Sequence, residues 1–135
     1  VKALKHFHPI IYFVSPSMLS MPQYLLDDLD DAGVIYYIEE NFTGCLDKLD
    51  VFYMTRIQRE RFPDPEEYEK VKGVYIINRG NIEGKCKDDM IIMHPLPRVN
   101  EIDVDLDTTK YARYFEQARN GIPIRQAMMM LSLER

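Results

Sequence analysis

Apolar residues gather along this chain in short, nearly unbroken runs, and the stretches between them carry apolar residues at helical spacing. Pro9-Ile10-Ile11-Tyr12-Phe13-Val14 is the first run, closed by Ser15-Pro16. Val34-Ile35-Tyr36-Tyr37-Ile38, Val51-Phe52-Tyr53-Met54, Val74-Tyr75-Ile76-Ile77 and Met90-Ile91-Ile92-Met93 follow. Each is short enough for a strand and too apolar for one open to water on a face, so five buried strands are expected. Met21 to Leu29 reads as a helix, with Pro22 where a first turn tolerates it and Gly33 as the stop. Thr43 to Leu49 reads as a short helix weakened by Gly44. Asp64-Pro65-Glu66-Glu67 opens another helix: an aspartate cap, a proline at the first position, and acids in the first turn. Lys110 to Arg119 reads as a helix broken by Asn120-Gly121, and Pro123 starts a last one through Leu133.

Strands alternating with helices predict an α/β fold: a Rossmann-like, three-layer parallel sheet of about five strands with helices on both faces and right-handed crossovers. No Gly-x-Gly-x-x-Gly follows any strand and no Gly-x-x-x-x-Gly-Lys run occurs, so neither the dinucleotide fingerprint nor a P-loop is present. No internal repeat interrupts the pattern.

The 135 residues suit one domain of ordinary size, and a 46% hydrophobic, 29% charged composition supplies both a core and a solvated surface. Net charge is -5 with no basic block, which argues against a nucleic-acid partner held by phosphate contacts. No apolar run reaches membrane-spanning length and no signal-peptide pattern is present. Cys45 and Cys86 are too far apart to suggest a metal motif or a disulfide framework, and His6-x-His8 lacks further ligands nearby. No metal is expected. The methionine-rich, disulfide-free composition fits a reducing, cytoplasmic compartment.

Two strand ends carry unusual residues. After Val51–Met54 comes Thr55-Arg56-Ile57-Gln58-Arg59-Glu60-Arg61. If the pleat persists, Arg56 and Gln58 point to one side, where a guanidinium fork and a carboxamide suit a small dicarboxylate or an amino acid. The competing reading is a solvated basic loop. After Met90–Met93 comes His94-Pro95-Leu96-Pro97-Arg98. Two prolines within three residues end the strand pairing and stiffen the main chain. In open α/β sheets ligands bind beyond the carboxyl ends of the strands. Carbonyls held there can accept hydrogen bonds from an amide or ammonium group, and the bond before Pro97 is a candidate cis peptide. A plain exit from strand to loop is the alternative.

His94 is either a general acid or base or a packed histidine. Asp103, Asp105 and Asp107 alternate like a metal loop but lack the glycine and terminal glutamate of an EF-hand, which favours a solvated acidic loop. Met128-Met129-Met130 suits packing on the last helix. Nothing resembles a Ser or Cys nucleophile at a recognised spacing. The chain is equipped to bind a ligand without metal or covalent catalysis.

Four segments in order then match a family: Met21-Pro22-Gln23-Tyr24, Tyr53 to Arg61, Met93 to Ile102, and Tyr114-Phe115-x-Gln117-Ala118-x-Asn120-Gly121-x-x-x-Arg125. Together they resemble the C-terminal, aspartate-binding half of aspartate carbamoyltransferase over nearly the whole chain. The ornithine-specific relatives differ: they carry His-Cys-Leu-Pro where this chain has His-Pro-Leu-Pro, and a Ser-Met-Gly loop that is absent here.

The resemblance implies carbamoyl transfer from carbamoyl phosphate to L-aspartate, giving N-carbamoyl-L-aspartate and phosphate in pyrimidine synthesis, with no cofactor. It implies that Arg56 and Gln58 hold the aspartate carboxylates and that the carbonyls of Pro95 and Leu96 contact the carbamoyl nitrogen. It further implies that Leu96–Pro97 is cis and that Arg61 supports closure of the two domains from a mobile loop near 58–72. This chain departs from the family pattern in Phe62-Pro63-Asp64-Pro65, one residue longer. It also lacks the Ser-Thr-x-Thr-Arg phosphate loop of the carbamoyl-phosphate half. Residues 1–135 are thus expected to be the aspartate-binding domain, with 1–7 in the linking helix and the partner domain N-terminal to it. The fragment alone should be inactive, with Ile124, Met128, Met129 and Leu131 of the last helix exposed. A homotrimer, with or without regulatory chains, follows from the family alone. The rival reading is a non-catalytic binding or scaffolding module that keeps the fold.

Overall fold

Two pairs of parallel strands organise this α/β chain, one pair in each of two compact units, Val1–Cys45 and Leu46–Arg135. The computed structural model describes residues 1–59 and 62–133.

In the first unit β1 (Ile11–Val14) pairs in parallel with β2 (Tyr36–Glu39), with Ile11 opposite Tyr36 and Val14 opposite Glu39. Parallel partners need a crossover, and α1 (Gln23–Asp30) supplies it. Leu26 and Leu29, three residues apart on one helical face, are buried. Gly33, at φ +65°, ends the helix in the left-handed conformation that glycine adopts without a Cβ penalty. The N–H groups of Gly33 and Val34 satisfy the carbonyls of Asp30 and Leu29. Tyr12 and Tyr37, opposite each other in the register, stack with ring centroids 4.9 Å apart. The N-terminal segment is a short 3-10 turn, Leu4–Phe7, and Lys5 Nζ donates to Asp28 at 2.9 Å.

In the second unit β3 (Val51–Tyr53) pairs in parallel with β4 (Ile91–Met93), and Tyr53 lies opposite Met93. The Met54 N–H donates to the Met93 carbonyl at 2.9 Å, extending the ladder one step. Between the strands lie α2 (Pro65–Val71) and α3 (Arg79–Ile82). The Asp64 carboxylate caps α2 by accepting the Glu66 N–H at 2.8 Å, as its sequence anticipates. Asn78 and Asn81 cap α3 reciprocally. The core holds Phe52, Met54, Ile77, Ile82, Met90, Ile92, Ile102, Leu106 and Tyr114.

Four elements differ from expectation. The described residues hold four strands rather than five, because Val74–Ile77 makes one isolated bridge, Ile77 to Ile102. Ile77 is the one residue of this run that pairs: its N–H donates to the Glu101 carbonyl and its carbonyl accepts the Asp103 N–H, and Asn78 then turns the chain into α3. Thr43–Leu49 is not a helix but two 3-10 turns, Phe42–Gly44 and Leu46–Lys48. The last long helix starts at Tyr114, not Lys110. Its preceding residues pair with β4 instead: the Ile92 N–H donates to the Tyr111 carbonyl and the Arg113 N–H to the Ile92 carbonyl. That helix, α4 (Tyr114–Leu133), runs unbroken through Gly121 and Pro123. Nearly every residue after Tyr114 on it is exposed, so little packs against the helix to oppose a proline's steric demand. Exposure extends to the strands, where Ile38 is 54% and Tyr53 52% accessible.

Candidate functional site

The parallel register places the carboxyl ends of β3 and β4 side by side. Two residues beyond the last ladder bond, Met54 to Met93, the chain reaches Arg56 on one side and Pro95 on the other. There Thr55, Arg56 and Gln58 line a cavity of about 480 Å³ together with Pro95, Leu96 and Pro97. The five expected site residues that lie among the described residues, Arg56, Gln58, Pro95, Leu96 and Pro97, all line this one cavity. Arg61 lies outside the described residues.

The proline wall is held from behind by His94. This histidine is 1% exposed, and both ring nitrogens are engaged. Its Nδ1 accepts the Leu96 N–H at 2.8 Å, and its Nε2 lies 2.8 Å from Glu101 Oε1. An N–H cannot accept, so the ring proton sits on Nε2 and is donated to the carboxylate. Of the two readings of His94, the packed one holds. Glu101 is also buried, and its Oε2 accepts the N–H groups of Val99 and Asn100, each at 3.1 Å. Burial alone would raise this carboxyl, but main-chain N–H donors and the His94 ring outweigh it and hold the group below its ordinary value.

The Leu96 N–H therefore points inward, onto the buried imidazole. Leu96–Pro97 is cis, whereas the Pro95–Leu96 peptide is trans. In a trans peptide the C=O and N–H point in opposite directions. The Pro95 carbonyl consequently faces away from the imidazole. Leu96 itself sits at φ +51°, the left-handed region that costs a non-glycine residue of order 1 kcal/mol or more. The His94–Leu96 hydrogen bond is what pins this conformation.

Arg98 anchors the far end of the segment. Its guanidinium grips Asp107 with two bonds, 2.5 Å from Nη1 and 2.6 Å from Nη2. The Tyr114 hydroxyl donates to the same carboxylate. The rings of Tyr114 and Phe115 stand 5.6 and 5.9 Å from the guanidinium. The fork of Arg98 holds Asp107 below its ordinary value, with the Tyr114 hydroxyl assisting against burial. Burial first, then the bond to Asp107, pushes Tyr114 up to about 12.

The aspartates that alternate like a metal loop are each occupied structurally. Asp103 caps a 3-10 turn at Asp105 N, Asp105 accepts from Arg79 N, and Asp107 holds Arg98. Among the described residues no group of three or more His, Cys, Asp or Glu is placed to hold a metal ion. No described helix is long and apolar enough to cross a membrane. The sequence reading missed the supporting polar residues Glu101, Gln117 and Tyr53. Gln117 Oε1 accepts the His94 N–H at 2.9 Å and its Nε2 donates to the Tyr53 hydroxyl at 3.0 Å. Their only signal in the sequence is that all three lie within the matched segments.

The cavity lies at the carboxyl ends of the parallel strands β3 and β4 of an α/β chain, lined by a guanidinium, a carboxamide and a proline-bearing segment. The chain belongs to the aspartate/ornithine carbamoyltransferase family, whose Asp/Orn-binding domain matches residues 1–132. It is 54% identical over 134 residues to the aspartate carbamoyltransferase catalytic subunit of Brachyspira hyodysenteriae, covering 99% of this chain and 37% of that protein. Against the same subunit of Thermococcus kodakarensis identity is 46%, over 98% of this chain and 42% of the relative. The solved catalytic subunit of M. jannaschii aspartate transcarbamoylase superposes with a TM-score of 0.79 at 51% identity, covering 89% of this chain and 39% of that one. The Trypanosoma cruzi enzyme, solved with carbamoyl phosphate and aspartate, gives 0.79 at 32% identity over 89% of this chain and 40% of its own. The chain thus spans about two-fifths of the length of the relatives it matches.

Proposed function

We propose that this chain is the aspartate-binding domain, residues 1–135, of an enzyme that transfers the carbamoyl group of carbamoyl phosphate to L-aspartate. The products are N-carbamoyl-L-aspartate and phosphate, in de novo pyrimidine biosynthesis. The observation that carries this reading is the meeting of Arg56 and Gln58 with Pro95, Leu96 and Pro97 around one cavity. The T. cruzi relative, solved with both substrates, supports the ligand pair.

In this reading the Arg56 fork and the Gln58 carboxamide hold the aspartate carboxylates. The Pro95 and Leu96 carbonyls accept from the carbamoyl nitrogen and turn its carbonyl carbon toward the amine. The amine attacks that carbon, a C–N bond forms, the C–O bond to phosphate breaks, and the amine gives up a proton. Orientation of two bound reactants is the main contribution of this half. The carbamoyl-phosphate half supplies the phosphate site, and Arg61 supports closure of the two halves, which keeps water from the donor. The working enzyme is a cytoplasmic homotrimer, with or without regulatory chains, and needs no cofactor, nucleic acid or membrane.

The test is Arg56→Ala in the complete polypeptide. The aspartate KM should rise and kcat fall, together costing on the order of a hundredfold or more in kcat/KM. Unchanged aspartate kinetics would end the assignment.

A further inference from the structure

We infer that Gln117, on the first turn of α4, is a positioning residue that sets the aim of the Pro95 carbonyl. The inference rests on the proposed carbamoyl transfer, and it concerns a residue with no place in the substrate contacts described above.

The argument begins with the edge of β4. Residues alternate along a strand, so Ile92 and His94 direct their N–H groups to the same edge, the one facing away from β3. On that edge the Ile92 N–H finds the Tyr111 carbonyl at 2.8 Å. At the next position, His94, the neighbouring chain has already turned into α4, and no main-chain acceptor continues the ladder. The carboxamide of Gln117 fills that place: Oε1 accepts the His94 N–H at 2.9 Å. Its Nε2 donates to the Tyr53 hydroxyl at 3.0 Å. Tyr53 is the last residue of β3 and His94 the first after β4. One amide therefore ties together the two strand ends from which the two walls of the cavity grow.

The consequence runs through His94. Gln117 fixes the peptide plane that enters His94, and with it the origin of the imidazole. The imidazole, oriented on its other side by Glu101, accepts the Leu96 N–H through Nδ1. That bond sets the plane of the Pro95–Leu96 peptide and so the direction of the Pro95 carbonyl. Loss of the Gln117 contact releases the first link of this series. Displacement of a positioned group by about 1 Å is enough to cost on the order of a hundredfold in rate.

Gln117→Leu keeps the approximate size and removes both hydrogen bonds. Gln117→Glu keeps both, because the Tyr53 hydroxyl can turn to donate and the His94 N–H still finds an acceptor. Two measurements separate positioning from general weakening. Amide hydrogen exchange at His94 and Leu96, read on the complete polypeptide without substrate, should quicken at least tenfold in Gln117→Leu. Exchange at amides outside this series, Glu83 and Leu106, should stay the same. In the complete polypeptide, Gln117→Leu should lower kcat ten- to a hundredfold with the aspartate KM within about threefold, and Gln117→Glu should restore most of the loss. Gln117→Ser, too short to span the gap, gives the same readings should Gln117→Leu impair folding. Unaltered exchange at Leu96, or a kcat loss that Gln117→Glu fails to rescue, would overturn the inference. Because exchange is read without substrate, it stands apart from the Arg56→Ala result, whose failure would remove the reaction but leave the exchange outcome intact.

Discussion

The imidazole of His94 and the carboxylate of Glu101 face each other at 2.8 Å in the interior, seven residues apart, and close the loop that carries Pro95, Leu96 and Pro97. Glu101 also gathers the main-chain N–H groups of the exposed Val99 and Asn100, so Glu101→Ala would strand the buried His94 ring donor and take the acceptor from two further N–H groups. We expect a loss of about 3 kcal/mol in unfolding free energy, and less for Glu101→Gln, which keeps one acceptor oxygen. Denaturant titration measures both. The folded carboxyl titrates below its ordinary value of 4.5. Its contribution is therefore full above that value and drains away as pH falls through the depressed one. Wild type should lose stability on acidification more steeply than Glu101→Gln.

Tyr114 is fully buried and its hydroxyl is held by Asp107, so its folded value, about 12, exceeds the ordinary 10.0. A raised value means the stabilisation is complete below pH 10.0 and is lost as pH climbs toward 12. Ultraviolet titration should show one tyrosine ionising near the top of that window, and the signal should vanish in Tyr114→Phe. That substitution should also cost about 2 kcal/mol, the hydroxyl's hydrogen bond to a charged carboxylate.

Gln58 shares the cavity with Arg56, and a neutral carboxamide there can approach a dicarboxylate without repulsion. Gln58→Glu places a like charge against the ligand. The aspartate requirement of the complete enzyme should rise at least tenfold, while melting of the protein stays within about 0.5 kcal/mol of wild type. An equal response to Gln58→Glu and to a charge reversal on the remote surface of α2 would remove Gln58 from the site.

Pro123 sits at the tenth position of a 20-residue helix, where it withholds one N–H from the helical ladder. Pro123→Ala restores that donor on an exposed helix. Helical content by circular dichroism should rise slightly and stability should increase by about 1 kcal/mol or more. A loss of stability would mean that the proline's constraint on the unfolded chain outweighs its cost in the helix.

By itself the sequence placed the strands β1 to β4 and the helices α1 and α2, with their starts about two residues or less from those observed, because these depend on local chemistry: an apolar run, a proline at a first turn, an aspartate cap on α2, a glycine stop after α1. It also determined which two segments deserve chemical interest, since a guanidinium and carboxamide after one strand and a double proline after another are unusual in any context. Only the tertiary structure decided that the segments meet, for their closeness follows from the β3–β4 register, with Tyr53 opposite Met93 forty positions later in the chain. Gln117 was hidden by distance, 23 residues from His94 and 64 from Tyr53, and Glu101 by burial, since its importance lies in an inward-facing partner that no local pattern names. Helix α4 and the single bridge at Ile77 went the other way. There the local signals for a break and for a strand were overruled, because a helix end and a strand both depend on what the neighbouring chain offers to pair with.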